Sequence, residues 1–456
     1  MELSFDFTLA RRKYEAIYEQ LKQKVIKQEL VAYTKLPSKR QLAEQLQVSI
    51  QTIQVAYEQL LSEGYIYSVE RSGYFVSLYE PEWQPLQPKL AITANVEIQK
   101  EEVPSDNLRN GQVDSSAFPY TLWQKLYRQQ LPLHTLGNGE WQGEKSLRDE
   151  IACYVKKARG IKCQSEQVFI YSGTQQQLQA LCLFLQTKRV AMEEPGFMRA
   201  TTVFQQLNVS IEYVPVDQMG AKIPKTDCSL YYLTPAHQYP LGMIMPLERK
   251  QALLQWAKRE NAYLIEDDYD AEFRYKGLPI PPLAQMDFDG RVIYFGTFSK
   301  TLIPSLRISY MILPPQLVNA FQTFNKFQKT TVSKIDQHVV ATFMREGHYE
   351  KHIAKMRTLY RKKREALLTA LQTYLPTDFK IFGDEAGLHI VIQLPEGLTE
   401  KDAIERAAAA SIQIDAVSTM YQLNPPSNTV MLGFGAIALD RIDEVVFRLV
   451  KCWGVE

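Results

Sequence analysis

The residues best suited to chemistry gather around one lysine. Gly296-Thr297-Phe298-Ser299-Lys300-Thr301-Leu302 follows the apolar run Val292 to Phe295, which predicts Lys300 just past the carboxyl end of a strand, where open α/β sheets place their ligands. Arg307 lies seven residues further on. A lysine amine in a partly apolar pocket forms a Schiff base with an aldehyde, and Thr297, Ser299 and Arg307 offer the hydroxyl donors and fixed cation that hold a phosphate. That combination suggests pyridoxal phosphate. Taken alone, a serine, a lysine and an arginine at this spacing more often mark a solvated surface, so other segments must converge on the same site.

Two do. The apolar run Ala262 to Ile265 leads into Glu266-Asp267-Asp268-Tyr269, which predicts a carboxylate at the carboxyl end of another strand. Asp267 is the candidate for keeping a pyridine nitrogen protonated, and Tyr269 offers a phenol to the ring's 3-oxygen. The run Val168 to Tyr171 leads into Ser172-Gly173-Thr174-Gln175-Gln176 and then a helical pattern. Strand, glycine turn and helix make a phosphate cradle, because the free N–H groups of the helix start face the anion; Gly173, Thr174 and Gln175 are its candidates.

Short apolar runs alternating with helical patterns from about residue 105 onward predict the platform for these groups, a mainly parallel, doubly wound α/β sheet. At 456 residues the chain exceeds one ordinary core, so two or more domains are expected. A formal charge of +1 excludes a globally basic nucleic-acid coat, and a 45% hydrophobic fraction excludes a disordered chain. Five cysteines without a C-x-x-C pair point to reduced thiols in the cytoplasm, and no apolar stretch approaches the roughly 18 to 20 residues of a membrane span. The six histidines show no metal-ligand spacing, so no metal is expected, and the basic run Lys351 to Arg364 reads as a solvated helix face.

Residues 10–78 carry a different pattern. Tyr14, Ile17, Tyr18, Leu21 and Val25 form one helical stripe, Ser38 and Gln41 stand in capping-box relation at a second helix, and Ser49 caps a third. On that third helix Ile50, Gln51, Gln54 and Val55 face outward. Tyr65 to Tyr67 and Tyr74 to Val76 flank a charged tip and read as a hairpin. The sum is a winged helix-turn-helix, suited to placing a helix start in a DNA major groove. Nine Lys or Arg against three acids between residues 11 and 40 give a local excess of +6 to set against phosphates. Residues 79–104, with four of the 23 prolines, read as a linker, leaving 105–456 as the large domain.

Residue identity sharpens both halves. Leu36-Pro37-Ser38-Lys39-Arg40-Gln41-Leu42-Ala43, Val48-Ser49, Thr52-Ile53, Ala56-Tyr57 and Ser72-Gly73-Tyr74-Phe75-Val76 closely resemble the DNA-binding domain of GntR-type bacterial regulators. The resemblance implies DNA contact by Lys39, Arg40, Ser49, Gln51, Thr52 and Arg71. Ile50 and Arg71 depart from the family's usual Arg and Gly. Glu194-Pro195-Gly196-Phe197-Met198-Arg199 and Thr234-Pro235-Ala236-His237-Gln238-Tyr239-Pro240-Leu241-Gly242, with the lysine and carboxylate segments, resemble the fold-type I aminotransferase domain over about 105–456. That resemblance implies Lys300 as the Schiff-base lysine, Asp267 as the pyridinium partner, Phe197 stacked on the ring and Arg307 on the phosphate. Tyr239 takes the slot where aminotransferases usually carry an Asn on the 3-oxygen.

Together the halves resemble the MocR subfamily of bacterial transcriptional regulators. This implies a homodimer, commonly head-to-tail, that binds promoter DNA and uses pyridoxal 5'-phosphate for sensing rather than turnover. Arg199 matches a carboxylate clamp of amino-acid-responsive members, but Met431 stands in Thr429-Val430-Met431-Leu432-Gly433 where many related domains carry an arginine. The expected effector is the cofactor itself, with control of vitamin B6 synthesis or salvage, or an amino acid that reacts with it. The competing reading is a working aminotransferase with an appended DNA-binding module.

Overall fold

The computed structural model describes residue 5 and residues 12–78, 106–132, 137–275, 277, 280–329 and 331–454. The linker expected over 79–104 lies outside the described residues, as do residues 10 and 11. The chain divides into two compact units, Met1–Glu101 and Glu102–Glu456.

In the first unit, helices Lys13–Ile26, Lys39–Gln45 and Ile50–Ser62 precede a hairpin of Ile66–Val69 and Gly73–Val76. Local chemistry sets the helix starts. Ser38 Oγ accepts from Gln41 N while the Gln41 side chain accepts from Ser38 N, and Ser49 Oγ accepts from Thr52 N at 3.1 Å. Ile17, Leu21, Leu42, Ile53, Tyr57 and Leu60 then close one small core. At the hairpin tip Arg71 adopts a left-handed φ of 60°, a conformation that favours glycine, so an arginine is held there at a backbone cost.

The second unit is built on an eight-stranded sheet in the order Val168–Tyr171, Ser309–Ile312, Val292–Thr297, Tyr263–Asp268, Leu230–Leu233, Arg189–Glu194, Ser210–Asp217, Gly220–Ala221. Only Ser309–Ile312 and Gly220–Ala221 run antiparallel to their neighbours. The central strands are apolar on both faces because helices cover both, which accounts for their unbroken hydrophobic runs. Parallel pairing sets Phe295 opposite Asp267 and Gly296 opposite Asp268, so the segments carrying Asp267 and Lys300 leave the sheet at one edge. A second, four-stranded antiparallel sheet comprises Lys380–Phe382, His389–Gln393, Thr429–Gly433 and Asp415–Ala416.

Two expectations are corrected. The strand expected to stop at Ile265 continues to Asp268, so Glu266, Asp267 and Asp268 are buried within it instead of emerging from its end. The basic run on helix His348–Tyr374 is not a wholly solvated face. Lys363 is buried, its Nζ 2.7 Å from Asp114 Oδ2 and 3.0 Å from Gly435 O; Arg364 pairs with Asp384 at 2.6 Å; His352 is buried as well. A 27-residue helix crossing the large unit must bury part of any charged run it carries.

Truncating one partner of a buried ion pair strands the other, so Lys363→Met should cost about 3 kcal/mol in chemical denaturation, while Lys362→Met on the exposed face changes stability by less than about 0.5 kcal/mol. Equal effects would return Lys363 to the solvated face.

Candidate functional site

Lys300 follows strand Val292–Thr297 by three residues, and its ammonium is pushed down to about 8 by burial, with Asp270 opposing the shift. A built Cβ on Gly111 would stand 3.9 Å from Lys300 Nζ, so the segment after Asp106–Asn107 lies against the amine. Asp267 receives the Tyr232 phenol on Oδ2, and Oδ1 has no hydrogen-bond partner among the described residues. Burial pushes its carboxyl up to about 7. Glu193, with its Oε2 accepting from Thr234 N and Oγ1, is also pushed up to about 7 by burial, and Asp267 adds to the shift.

The Thr234–Gly242 turn is tied to the Glu194–Phe197 turn through Gln238, whose Nε2 donates to Pro195 O at 2.9 Å. This brings Phe197 and Tyr239 edge to face at 5.9 Å, with Tyr269 a further 5.9 Å beyond Tyr239. Phe197 also opens helix Met198–Gln206, where Arg199 is exposed with no hydrogen bond or ion pair among the described residues, yet close enough to disfavour the charge on Lys300.

At the neighbouring edge, helix Thr174–Leu185 starts on Gly173 with no side chain capping its first N–H groups. A Cβ on Gly173 would meet Arg307 Nη2 at 2.5 Å. Arg307 itself has a left-handed φ of 50°, and its guanidinium has no partner among the described residues. Thr297 Oγ1 accepts from Ser299 N at 3.1 Å, which keeps its hydroxyl hydrogen available. Uncapped amides, a glycine that admits a guanidinium, and two hydroxyls form a cradle for a phosphate-sized anion. A buried carboxylate with one open oxygen, beside a lysine driven toward the free amine, fits a protonated pyridine and an aldehyde. These donors suit pyridoxal 5'-phosphate.

In the first unit Arg40, Gln51, Gln54 and Val55 are exposed around the start of helix Ile50–Ser62, and Arg71 is exposed at the hairpin tip. Ser49 and Thr52 bond each other through their hydroxyls at 2.8 Å, and Lys39 lies over the Tyr74 ring at 5.8 Å. The +6 excess is not all free for phosphates, since Lys22 pairs with Glu63 at 3.0 Å and Lys24 with Glu29 at 3.4 Å.

Several pocket residues escaped sequence reasoning. Tyr232 and Glu193 stand just before motifs that drew attention to their neighbours, Asp415 and His389 stand in segments that carried none, and their proximity to Asp267, Lys300 and His237 appears only in the fold. His237 and His389, two of the histidines that show no metal-ligand spacing in the sequence, lie together and buried with Asp270, each of the three offering a ligand atom within 4.8 Å of the others. Met431 lies on strand Thr429–Gly433 and packs with Val391 and Val417.

Fold and pocket define a pyridoxal-phosphate domain of the fold-type I aminotransferase class, joined in one chain to a winged-helix DNA reader. The family description "Aminotransferase class I and II" matches residues 130–421, and "Bacterial regulatory proteins, gntR family" matches 13–76. The chain is 38% identical over 450 residues to the HTH-type transcriptional regulator YhdI of Bacillus subtilis, covering 97% of this chain and 96% of the relative. It is 30% identical to the probable rhizopine catabolism regulatory protein MocR of Rhizobium meliloti (93% and 90% covered) and 30% identical to the pyridoxine biosynthesis transcriptional regulator PdxR of Corynebacterium glutamicum (92% and 91%). Among solved structures, the multiple substrate aminotransferase of Thermococcus profundus matches 78% of this chain and 92% of its own with a TM-score of 0.70 at 26% identity. The chain belongs to the MocR subfamily of GntR transcriptional regulators, and its cofactor is pyridoxal 5'-phosphate.

Asp267 supports a linkage prediction. Its folded carboxyl, raised from 3.8 to about 7, binds more protons than the unfolded one, so its contribution to stability is full below the unfolded value and is lost as pH rises toward the folded one. Without cofactor, Asp267→Asn should therefore melt above the parent protein at pH 8, by roughly 2 kcal/mol, and match it near pH 4. A gap independent of pH would mean the carboxyl is not titrating.

Proposed function

We propose that this regulator binds promoter DNA through its winged helix, as a cytoplasmic head-to-tail homodimer, and reads the state of pyridoxal 5'-phosphate in the lysine pocket without sustained turnover. Residues 10–78 form its DNA-binding domain, 79–104 the linker and 105–456 the sensing domain. Lys300 would hold the aldehyde carbon, Asp267 the ring nitrogen, Phe197 the ring face, and Tyr269 and Tyr239 the 3-oxygen. Gly173, Thr174, Gln175, Thr297, Ser299 and Arg307 would hold the phosphate. When bound, the cofactor supplies an electrophilic carbon that Lys300 or an incoming amine can occupy. The chain's own groups do the rest: burial keeps a fraction of Lys300 as free amine near neutral pH, and Asp267 keeps a proton on the ring nitrogen.

The observation that carries sensing over turnover is the packing of Met431. It is fully buried against Val391 and Val417, so the strand Thr429–Gly433 offers a thioether and not the second cation that a carboxylate clamp needs. Arg199 is then the pocket's candidate for a ligand carboxylate, by a single clamp. This favours the cofactor itself as effector, with control of vitamin B6 synthesis or salvage, over an amino acid; the likeness to PdxR, named for pyridoxine biosynthesis, supports the same choice. On the DNA side, Lys39, Arg40, Ser49 and Thr52 would contact backbone, with Gln51 and Arg71 near bases or a groove.

Two measurements test this. Pyridoxal 5'-phosphate should give the wild-type protein a near-visible absorbance band that Lys300→Ala lacks, and should change promoter affinity at least about threefold with no keto-acid formed from ordinary amino acids. Steady transamination with unchanged DNA binding would favour the aminotransferase reading. Arg40→Ala should weaken binding to all DNA fragments and reduce the salt slope by about one, whereas Gln51→Ala should cost roughly 1–3 kcal/mol on the promoter alone.

A further inference from the structure

Next to Tyr269 lies a buried pair, His237 and Asp270, that the cofactor contacts above do not use. Tyr269 Oη is 3.0 Å from His237 Nδ1, and the same Nδ1 is 3.0 Å from Asp270 Oδ2. His237 and Asp270 are 1% and 2% exposed, so bulk solvent does not reach these contacts. The ring is held from two sides by backbone. Gly387 presses on the Cε1–Nδ1 edge, and a Cβ on Gly242 would stand 3.2 Å from Nε2, so neither position admits a side chain without moving His237. His389 packs at 5.0 Å from it and points its own Nε2 at Pro240 O, 2.8 Å away.

The direction of the hydrogens follows from what each atom can do. A carboxylate oxygen only accepts, so the contact to Asp270 requires the hydrogen on His237 Nδ1, whatever the charge of the ring. A protonated Nδ1 has no lone pair for the Tyr269 hydrogen. The phenol oxygen therefore accepts a share of that N–H, and its own hydrogen has to point elsewhere. Burial holds Tyr269 in its protonated form, and its charged or phenolic neighbours are Asp270, Tyr239, Asp267 and Glu193, the walls of the lysine pocket.

We propose that Asp270 and His237 are positioning residues that lock the His237 tautomer and thereby make Tyr269 a one-way hydrogen-bond donor into the lysine pocket. This rests on the reading that the pocket holds pyridoxal 5'-phosphate, whose 3-oxygen takes that hydrogen. A buried carboxylate that fixes an imidazole tautomer is a known device of catalytic triads. Here it acts on a phenol.

Neutron diffraction from crystals of the full-length protein, grown with and without pyridoxal 5'-phosphate, tests the tautomer directly and needs no variant. The expected result is deuterium on His237 Nδ1 and a Tyr269 deuteron turned away from His237. Deuterium on Nε2 alone, or a Tyr269 deuteron aimed at Nδ1, overturns the proposal, as does a divalent ion such as Zn²⁺ bound between His237, Asp270 and His389. A second test reads the pH midpoint of the absorbance of the loaded protein in a cycle of Asp270→Ala and Tyr269→Phe. Losing the Asp270 charge by itself favours deprotonation and lowers the midpoint. Releasing His237 to draw the Tyr269 hydrogen onto itself removes a donor from the 3-oxygen and raises it. The effect of Asp270→Ala should accordingly be more negative by about one pH unit in the Tyr269→Phe background than in wild type. An equal effect in both backgrounds leaves Asp270 a charge and nothing more, and overturns the proposal. Failure to take up cofactor would instead sink the parent reading while leaving the neutron result to stand or fall alone.

Discussion

A half-buried amine and a buried carboxylate share one edge of the sheet, and the pocket is shaped by the cost of desolvating them. Burial drives Lys300 down to about 8 and Asp267 up to about 7, each toward its neutral form. Neither is paired with the other. Asp267 is held on one oxygen by Tyr232, while Lys300 feels Asp270 and Asp415 on one side and Arg199 on the other. Such a site is poised for a ligand that brings its own N–H for the carboxylate and its own electrophile for the amine. Register is what makes the arrangement possible, since the in-phase pairing of Phe295 with Asp267 delivers both groups to the same end.

The pocket is closed by chain that begins far from it. Asp106 is buried and pairs with Arg448 at 2.6 Å and Arg441 at 3.3 Å, and Asp415 takes Arg109 Nε at 2.9 Å and Asn110 N at 2.7 Å. The segment after Asp106 then runs over Gly433 and Gly435, where a Cβ would collide with the carbonyls of Arg109 and Gln112. It reaches Lys300 at Gly111. The first described residues after the linker region are thus bound to the four-stranded sheet and in contact with the reactive amine at once.

One wall of this unit is set by the four-stranded sheet. Met431 lies opposite Asp415 across the strand pair and fills an apolar cluster with Val391 and Val417. The DNA-binding unit obeys simpler rules, its second and third helices started by the local caps Ser38 and Ser49 and its outward residues left over once Ile53, Ala56, Tyr57 and Leu60 are buried.

How much of this was legible in the chain differs between the two halves for a physical reason. Capping boxes, helical stripes and a glycine turn act within a few residues, so Ser38, Ser49, Gly173 and the strand Val168–Tyr171 appear where the sequence placed them. Lys300 and Asp267 stand out in the sequence because each follows an apolar run, Arg307 because of its spacing from Lys300, and resemblance to known motifs supplied the roles expected of them. Sequence alone did not reveal that Asp267 lies inside its strand, that Lys363 is buried, or that His237, Asp270 and His389 meet. Residue type and spacing determined which local elements form and which chemistry they carry. Only the tertiary structure decided which of those groups lose their water together, because desolvation depends on neighbours that parallel pairing and long-range packing bring from more than a hundred residues away.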